Sequence, residues 1–287
     1  MGLFLVGFMW FLWLFVAARS SEFDTFDGVN HGMSLIAWST LMLGASFALG
    51  AVMRVSHGNA RRENACWRRE QAWQAYPAVA YHVCSSVVEL LFVLTVTFVV
   101  AMFTFTFFGF WSVAESGNFA LYWLTLSIFT LGQVYLGQWL VRLAPSESIA
   151  AAAGAGINLL PLLTFVWYWR RSALGKLTWL LVFLTPQRLA LQVLQALVFS
   201  TTADSCIYDI EGIDAGAESQ LPCRELRLIP SESFSNEQQQ LTVHSYAELE
   251  YGAERASVTF RLMELGLCLA VFRFLVFAAL QKRPAQA

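Results

Sequence analysis

Charged residues are sparse in this chain, and one short charged stretch lies between two long apolar runs. Residues 63–70 read Glu-Asn-Ala-Cys-Trp-Arg-Arg-Glu. On a short rigid helix, such side chains can contact a second protein and convert its movement into a movement of the flanking apolar segments. The candidate contact residues in this charged stretch are Glu63, Trp67, Arg69 and Glu70. The other interpretation is a solvated helix whose arginines only orient the chain in a membrane.

Three further ionisable residues, Glu89, Glu264 and Arg273, lie within or near apolar runs. An ionised side chain at the middle of a bilayer costs about 2.5–3.5 kcal/mol on insertion scales, so we expect each to have a partner or water. Glu264 and Arg273 are too far apart on one helix to pair directly. The group forms either a polar latch inside the domain or, for Arg273, contacts with lipid headgroups.

The sequence contains no nucleotide-binding loop of the G-x-x-x-x-G-K-[ST] type. Its Gly-Lys pair, Gly175-Lys176, is followed by Leu177. No apolar strand ends in an acidic residue that would hold Mg²⁺, and no cysteine or histidine spacing suggests a metal site. We therefore expect no catalytic residue, bound cofactor or metal in this chain, and no enzyme activity of its own.

Composition indicates a membrane protein, because 57% of the 287 residues are hydrophobic and 13% are charged. Seven apolar runs are each about long enough to cross ~30 Å of hydrocarbon; they cover residues 2–18, 33–53, 79–110, 119–143, 149–169, 177–199 and 258–280. The third run would form a helix of ~48 Å, so we expect a span over 79–105 and a break near Phe108-Gly109-Phe110.

Arginine and lysine predict the orientation, since they accumulate in short cytoplasmic loops. Five arginines lie between the second and third runs, and Lys282 and Arg283 follow the last run. Both places are therefore expected on the cytoplasmic side, with an even number of spans between them. This leaves the run 177–199, split by Pro186, as a re-entrant or outer segment. If residues 2–18 are retained and not cleaved as a signal peptide, the chain has six spans.

The long connection 200–257 carries eleven acidic residues against three arginines, which favours an exoplasmic loop. It contains Cys206 and Cys223, which form either a disulfide or two free thiols. Cys66, Cys84 and Cys268 are expected to be free. The predicted fold class is all-α: one domain over 1–287 with spans at 2–18, 33–53, 79–105, 119–143, 149–169 and 258–280, an outer re-entrant helical hairpin and an exoplasmic loop.

Two local patterns predict how the fourth and fifth runs pack. Pro145 between them predicts a tight turn, so the two spans should be antiparallel neighbours. The small residues of 150–156 predict close helix packing.

Several motifs match one known family in order and spacing. They are Glu63, Ala65, Trp67, Arg69, Glu70, Tyr76, Tyr81, Val88-Glu89-Leu90, Gly137-Gln138, Pro145-Ser146, Thr185-Pro186-Gln187, Leu241-Thr242-Val243, Tyr246 and Val271-Phe272-Arg273. Over nearly its whole length the chain resembles the six-helix transmembrane domain, the C-terminal one, of G-subfamily ATP-binding-cassette transporters of the pleiotropic-drug-resistance type. Asn64 and Leu91 depart from the family's usual Arg and Pro.

The resemblance implies a permeation domain of an ATP-driven exporter of lipids or amphipathic xenobiotics, in a multi-pass plasma-membrane protein. It assigns the charged stretch to the coupling loop that rests on a nucleotide-binding domain, which would hold ATP and Mg. It implies a second transmembrane domain, in a homodimer or pseudo-dimer, and a shared cavity lined by Asn158, Thr164 and Phe165. Since the family's nucleotide-binding domain precedes the first span, we expect a fragment or a split subunit. The alternatives are a nucleotide-independent secondary transporter or channel, or an inactive transporter fragment.

Overall fold

The computed structural model describes residues 26–56, 78–112, 114, 117–144, 146–163, 186–199 and 258–281. These residues form six α-helices, one 3₁₀ turn and no strand. The helices are α1 (Phe26–Ser56), α2 (Ala78–Phe107), α3 (Asn118–Leu143), α4 (Glu147–Leu163), α5 (Pro186–Phe199) and α6 (Val258–Gln281). The all-α class is confirmed for this part of the chain. The run 2–18, the charged stretch, residues 164–169 and the loop with Cys206 and Cys223 lie outside the described residues.

Four of these helices are long and apolar enough to cross a membrane. Their candidate spans are His31–Val55, Val83–Phe107, Asn118–Leu143 and Val258–Ala279. They coincide with the predicted spans 33–53, 79–105, 119–143 and 258–280. The predicted span 149–169 is helical as far as Leu163 in α4. The apolar helices are those of a multi-pass membrane protein.

The predicted break after the third run is confirmed at Gly109. Helix α2 ends at Phe107, and a 3₁₀ turn follows at Phe110–Ser112. Between them Gly109 adopts a φ of 71°, in the left-handed region that side chains with a Cβ rarely enter. The reversal turns Phe110 back into the bundle, where its ring meets Phe105 and Phe199 edge-on.

Polar contacts join the last turn of α1, the C-terminal parts of α3 and α6, and the N-terminal half of α2. Arg54 in the last turn of α1, Gln138 near the end of α3 and Arg273 near the end of α6 all contact Glu89 in α2. We call this side of the bundle the arginine end. The topology expected from loop charge likewise groups these helix ends on one side of the membrane.

The opposite end is held together by the start of α3 and the end of α5. Asn118 Nδ2 donates a hydrogen bond of 3.0 Å to the carbonyl of Leu197. Along α1, Gln195 Nε2 donates to the carbonyl of Met33 at 3.5 Å. The late residues of α5 therefore lie beside the early residues of α1 and α3.

Close packing at the centre of the bundle depends on small residues of α1, α3 and α4. A Cβ on Gly137 of α3 would lie 2.5 Å from the backbone oxygen of Ala48 in α1. A Cβ on Gly154 of α4 would meet Leu140 at 3.7 Å and Ala48 at 4.0 Å. Helices α3 and α4 are antiparallel neighbours, as expected, because Gln133 and Asn158 pair at similar distances from the turn between them. In a bilayer no hydrophobic force drives apolar helices together, so they associate through close van der Waals packing. Small side chains allow that close approach.

Helix α5 is a short helix enclosed by its neighbours. It has 14 residues, and every residue from Gln187 to Phe199 is buried. At 1.5 Å per residue it is about 21 Å long, which is too short to cross ~30 Å of hydrocarbon. Its start lies beside Asn158 in the middle of the bundle and its end lies at the opposite end. The first part of the predicted re-entrant segment, 177–185, is not among the described residues.

Helices α2 and α6 form the periphery and present large apolar side chains outward. On α6 they follow a helical stripe that comprises Phe260, Met263, Leu267, Val271 and Phe274. On α2 the exposed set includes Val88, Leu91, Phe92, Phe98 and Phe103. Such a surface is stable against lipid or another apolar helix.

Replacing Gly137 with Ala tests the close α1–α3 contact. The new Cβ would meet backbone at 2.5 Å, so the helices must separate, and we expect a loss of about 1–3 kcal/mol of stability. The measurement is the melting temperature of the detergent-purified chain. Gly132→Ala in the same helix is the matched control, because nothing lies within 4 Å of its Cβ position. Equal melting temperatures for the two variants would contradict the contact.

Candidate functional site

Glu89 is a buried carboxylate among exposed apolar residues of α2. Its side chain is 6% exposed, whereas its neighbour Val88 is 62% exposed. Helical periodicity explains the difference, because Glu89 begins a stripe that continues through Val93, Thr97 and Val100, all of them buried. The stripe faces α3, where Thr97 and Ser127 share a hydrogen bond of 2.7 Å.

Three helices other than α2 supply the partners of this carboxylate. Gln138 Nε2 of α3 donates a hydrogen bond of 2.8 Å to Glu89 Oε1. Arg54 Nη1 of α1 lies 3.7 Å from Oε1, and Arg273 Nη1 of α6 lies 3.9 Å from Oε2. One negative charge therefore faces two guanidinium groups from two other helices.

Arg273 is held by two further contacts. Its Nη2 donates a hydrogen bond to Ser86 Oγ, one turn before Glu89 in α2. Its guanidinium carbon lies 4.7 Å from the centre of the Tyr135 ring of α3, a cation–π distance. The planar guanidinium can stack and donate at once, which an ammonium group cannot do as well. Arg273 thereby ties α6 to both α2 and α3.

A third arginine, Arg142, strengthens the same end of the bundle. Arg142 Nη1 of α3 donates a hydrogen bond of 3.0 Å to the carbonyl of Val276 in α6. Val276 follows Arg273 by less than one helical turn, so α3 and α6 are joined at two adjacent levels. We refer to Arg54, Ser86, Glu89, Tyr135, Gln138 and Arg273 as the Glu89 cluster.

Burial makes this cluster energetically sensitive. Taking an ion out of water costs several kcal/mol, and removing one partner of a buried pair is more damaging than never having had the pair. Arg54 is 61% exposed and can also reach water or headgroups, whereas Arg273 is 23% exposed and depends more on its protein partners. The cluster can hold four helices in one arrangement and release them if a charge is displaced.

Two of the three predicted intramembrane ionisable residues, Glu89 and Arg273, are brought together in this cluster. Glu264 is not part of it, because it pairs with Arg261 in the same helix at 3.0 Å. From the sequence, Arg54 served only to predict the orientation of the chain, and its contact with Glu89 was not predicted. Gln138 and Tyr135 were also missed as partners, although a glutamine within an apolar span is itself an indication of a buried polar contact.

A second polar group, of amides, lies in the middle of the bundle. Asn158 Nδ2 of α4 donates to Gln133 Oε1 of α3 at 3.0 Å, and Gln187 Nε2 of α5 donates to Asn158 Oδ1 at 3.4 Å. A Cβ on Gly44 of α1 would lie 2.9 Å from the ring of Phe129 and 3.2 Å from Asn158 Oδ1, so glycine makes room for both side chains. The predicted cavity residue Asn158 is fully buried between helices, and Thr164 and Phe165 lie outside the described residues.

The charged stretch itself is not described, but the helix that leads into it is. Arg54 lies two residues before the end of α1 at Ser56, and the charged stretch begins at Glu63. The contact between Arg54 and Glu89 is therefore the last described tie between the bundle and that stretch.

The described residues show no arrangement for metal binding, since no group of three or more His, Cys, Asp or Glu side chains lies together among them. Cys84 and Cys268 are free, as expected. What the described part offers is a charged connection between helices.

Replacing Glu89 with Gln tests the charge of the cluster while keeping an acceptor for Gln138. Without the carboxylate, Arg273 loses its buried counter-charge, and we expect a loss of up to about 3 kcal/mol, the low end for a broken buried pair. The measurement is the melting temperature of the purified chain.

The double variant Glu89→Gln with Arg273→Met is the second arm of this experiment. Because it removes both charges, it should recover part of the stability lost by Glu89→Gln alone. Glu264→Gln is the control, since it removes an intrahelical pair that does not join helices. Additive losses in the double variant would contradict a direct Glu89–Arg273 interaction.

Neither a scan against protein-family models nor a search of curated proteins finds a match to this sequence.

Proposed function

We propose that this chain is the transmembrane permeation domain of an ATP-driven exporter of lipids or amphipathic xenobiotics. The nucleotide-binding domain would be outside this sequence, with ATP and Mg bound there, and the chain would have no enzyme activity alone. The proposal starts from the resemblance to the G-subfamily transporters. The observation that carries it furthest is the Glu89 cluster, which connects the helix before the charged stretch to three other helices.

The position of the Glu89 cluster suits it to a mechanical role. A force applied to the charged stretch would reach the last turn of α1, where Arg54 is 3.7 Å from Glu89. Glu89 belongs to α2, and its other partners, Gln138 and Arg273, belong to α3 and α6. Both arginine contacts are longer than a hydrogen bond, so small shifts change the electrostatic energy without first breaking a directional bond. Such a cluster can pass a displacement of α1 to α2, α3 and α6.

The proposed architecture extends the described helices to six spans. The arginine end would face the cytoplasm, residues 2–18 and 149–169 would complete the set of spans, and 177–199 would be the outer re-entrant hairpin that includes α5. The loop 200–257 would be exoplasmic, with a Cys206–Cys223 disulfide. Support comes from the length of α5, which suffices for only part of the membrane, and from the grouping of helix ends at the arginine end.

The substrate class follows from the kind of surface the chain can offer. Large amphipathic molecules need broad apolar surface and few directional hydrogen bonds. In the proposed assembly, Thr164 and Phe165 would face a cavity shared with a second transmembrane domain. Asn158, which is buried between helices of this chain, would line that cavity only after those helices move apart. The apolar outer faces of α2 and α6 are available for a partner domain and for lipid.

A secondary transporter or channel is the second candidate, and two observations favour it. Buried carboxylates in membrane spans commonly mark ion or proton pathways, and Glu89 is such a group. Half-length helices like α5 also occur at the binding sites of secondary transporters. An inactive fragment, by contrast, would keep the cluster but transport nothing with or without a partner.

Substitutions in the charged stretch test the coupling. We expect Arg69→Ala or Glu70→Ala to leave ATP hydrolysis by the complex intact and to lower export per ATP by about 5-fold to 150-fold, the range of typical couplings between sites. The measurement is ATP-dependent export of a fluorescent phospholipid analogue from vesicles that contain the chain and its co-purifying nucleotide-binding protein. Arg261→Ala, at the other end of the bundle, is the control and should retain export.

The same vesicles distinguish the alternatives. If the purified chain alone moves the analogue when only a proton or sodium gradient is applied, the exporter proposal is wrong and the secondary transporter is favoured. If no nucleotide-binding protein co-purifies and neither energy source drives transport, the chain is an inactive fragment.

A further inference from the structure

Arg54 is the most exposed charged member of the Glu89 cluster. Its side chain is 61% exposed, and its partner among the described residues is the Glu89 carboxylate, at 3.7 Å. Since that distance is longer than a hydrogen bond, Glu89 attracts the guanidinium without taking up any of its five N–H donors. Arg54 can therefore donate to a further anion without giving up an existing hydrogen bond.

The same carboxylate also serves a second guanidinium. Arg273 Nη1 lies 3.9 Å from Glu89 Oε2. Arg273 is held in addition by Ser86 and by the ring of Tyr135. Glu89, Arg54 and Arg273 together carry one negative and two positive charges. Because Arg273 is the more enclosed of the two arginines, the excess positive charge of this group is accessible at Arg54.

Arg54 also lies at the depth of lipid headgroups. It is one residue before the end of the candidate span His31–Val55, so its guanidinium is at the boundary of the hydrocarbon. Long arginine side chains in such positions extend toward the headgroup region. The anions that a bilayer offers at this depth are lipid phosphates.

From Arg54 toward the middle of the membrane, α1 and α2 meet along a seam that is open to lipid. Phe47 precedes Arg54 by seven residues on the same face of α1, and its ring lies 6.3 Å from the ring of Phe92 in α2. Phe92 follows Glu89 by three residues, so the ring pair and the ion pair are successive contacts along this seam. Both helices pack closely on α3 but not on each other. Phe92 is 54% exposed, and Val88, one turn earlier, is exposed as well.

We propose that the seam of α1 and α2 binds one anionic phospholipid, with its phosphate on Arg54 and an acyl chain along Val88 and Phe92. Guanidinium groups bind phosphates through paired N–H donors, and basic sites between transmembrane helices bind anionic headgroups. The net positive charge of Arg54, Glu89 and Arg273 favours a lipid with a net negative charge over a zwitterionic one.

This lipid would be a resident ligand and not cargo, so the proposal does not depend on ATP coupling. Its phosphate would compete with Glu89 for Arg54. Binding would therefore loosen the tie between α1 and α2.

Native mass spectrometry of the detergent-purified full chain tests the lipid preference. The chain is titrated with dioleoylphosphatidylglycerol or with dioleoylphosphatidylcholine, which share their acyl chains but differ in net charge, and the affinities of the first bound lipid are compared. We expect the unsubstituted chain to bind the anionic lipid at least about fivefold more tightly, the effect of one charge near a membrane surface, and Arg54→Ala to lose this preference. Equal affinities of the unsubstituted chain for the two lipids would overturn the proposal.

Two variants separate a specific contact with Arg54 from general attraction to a basic surface. Arg54→Lys keeps the charge and should retain at least part of the preference, although an ammonium lacks the paired donors of a guanidinium. Lys282→Ala removes a charge that is expected on the same side of the membrane and should retain the full preference. A loss for Lys282→Ala as large as that for Arg54→Ala would overturn the proposal, because the attraction would then be diffuse.

Glycerophosphoglycerol, the same headgroup without acyl chains, distinguishes a lipid from a soluble phosphate. Since the proposed site includes the apolar surface of Val88 and Phe92, we expect no displacement of phosphatidylglycerol by an equal concentration of this compound. Phe92→Ala should weaken the binding of both lipids, whereas Phe260→Ala, which removes a similarly exposed ring from α6, should not. Displacement by the soluble headgroup, or equal effects of the two phenylalanine variants, would overturn the proposal.

Glu89→Gln gives a readout of the opposite sign. Because the amide removes the competing charge, this variant should bind phosphatidylglycerol about fivefold more tightly than the unsubstituted chain does. Damage to the fold would weaken lipid binding, so it cannot produce this increase. Unchanged or weaker binding of phosphatidylglycerol would overturn the proposal.

Discussion

The structure depends on the neutralisation of one carboxylate inside an apolar bundle. Glu89 lies on the inner face of α2, where its charge would be unstable without Arg273, Arg54 and Gln138. Because these three partners belong to three other helices, satisfying one charge fixes the relative positions of four helices at one end of the bundle. Apolar packing alone does not fix such positions, since lipid contacts are as favourable for an apolar helix as contacts with its neighbours.

Away from the Glu89 cluster, other kinds of contact replace charge. At the centre, Gly137 and Ala48 allow the backbones of α1 and α3 to come nearly into contact. This close approach increases the van der Waals attraction between the two helices. Toward the opposite end, hydrogen bonds from amide side chains join α1, α3, α4 and α5. The short helix α5 belongs to this half only, and its enclosure explains why it can carry Gln187, Arg188, Gln192 and Gln195 without exposing them to lipid.

The two polar regions suit two different tasks in the proposed transport cycle. The Glu89 cluster, next to the helix end that leads into the charged stretch, is placed to receive a displacement and share it among helices. The amide row of Gln133, Asn158 and Gln187 joins α3, α4 and α5 in the middle of the bundle and holds these helices by directional bonds. A movement of α1 would affect both regions at once, because Arg54, which contacts Glu89, and Gly44, which adjoins Asn158, lie on that one helix.

Much of the fold was determined by local sequence properties. Run length and hydropathy located the four long spans, Gly109 predicted the break after α2, and the turn around residue 145 predicted the antiparallel pair α3 and α4, because each depends on neighbouring residues only. Glu89 and Arg273 could be recognised as needing partners for the same reason, since an ion in an apolar run is costly wherever it points. Which partners they have was decided by tertiary structure. Glu89 and Arg273 are 184 positions apart in the sequence, and Arg54, Tyr135 and Gln138 become their neighbours only when four helices pack. The amide row of Gln133, Asn158 and Gln187 likewise depends on the register of α3, α4 and α5, which is set by three-dimensional contacts and not by the period of any one helix.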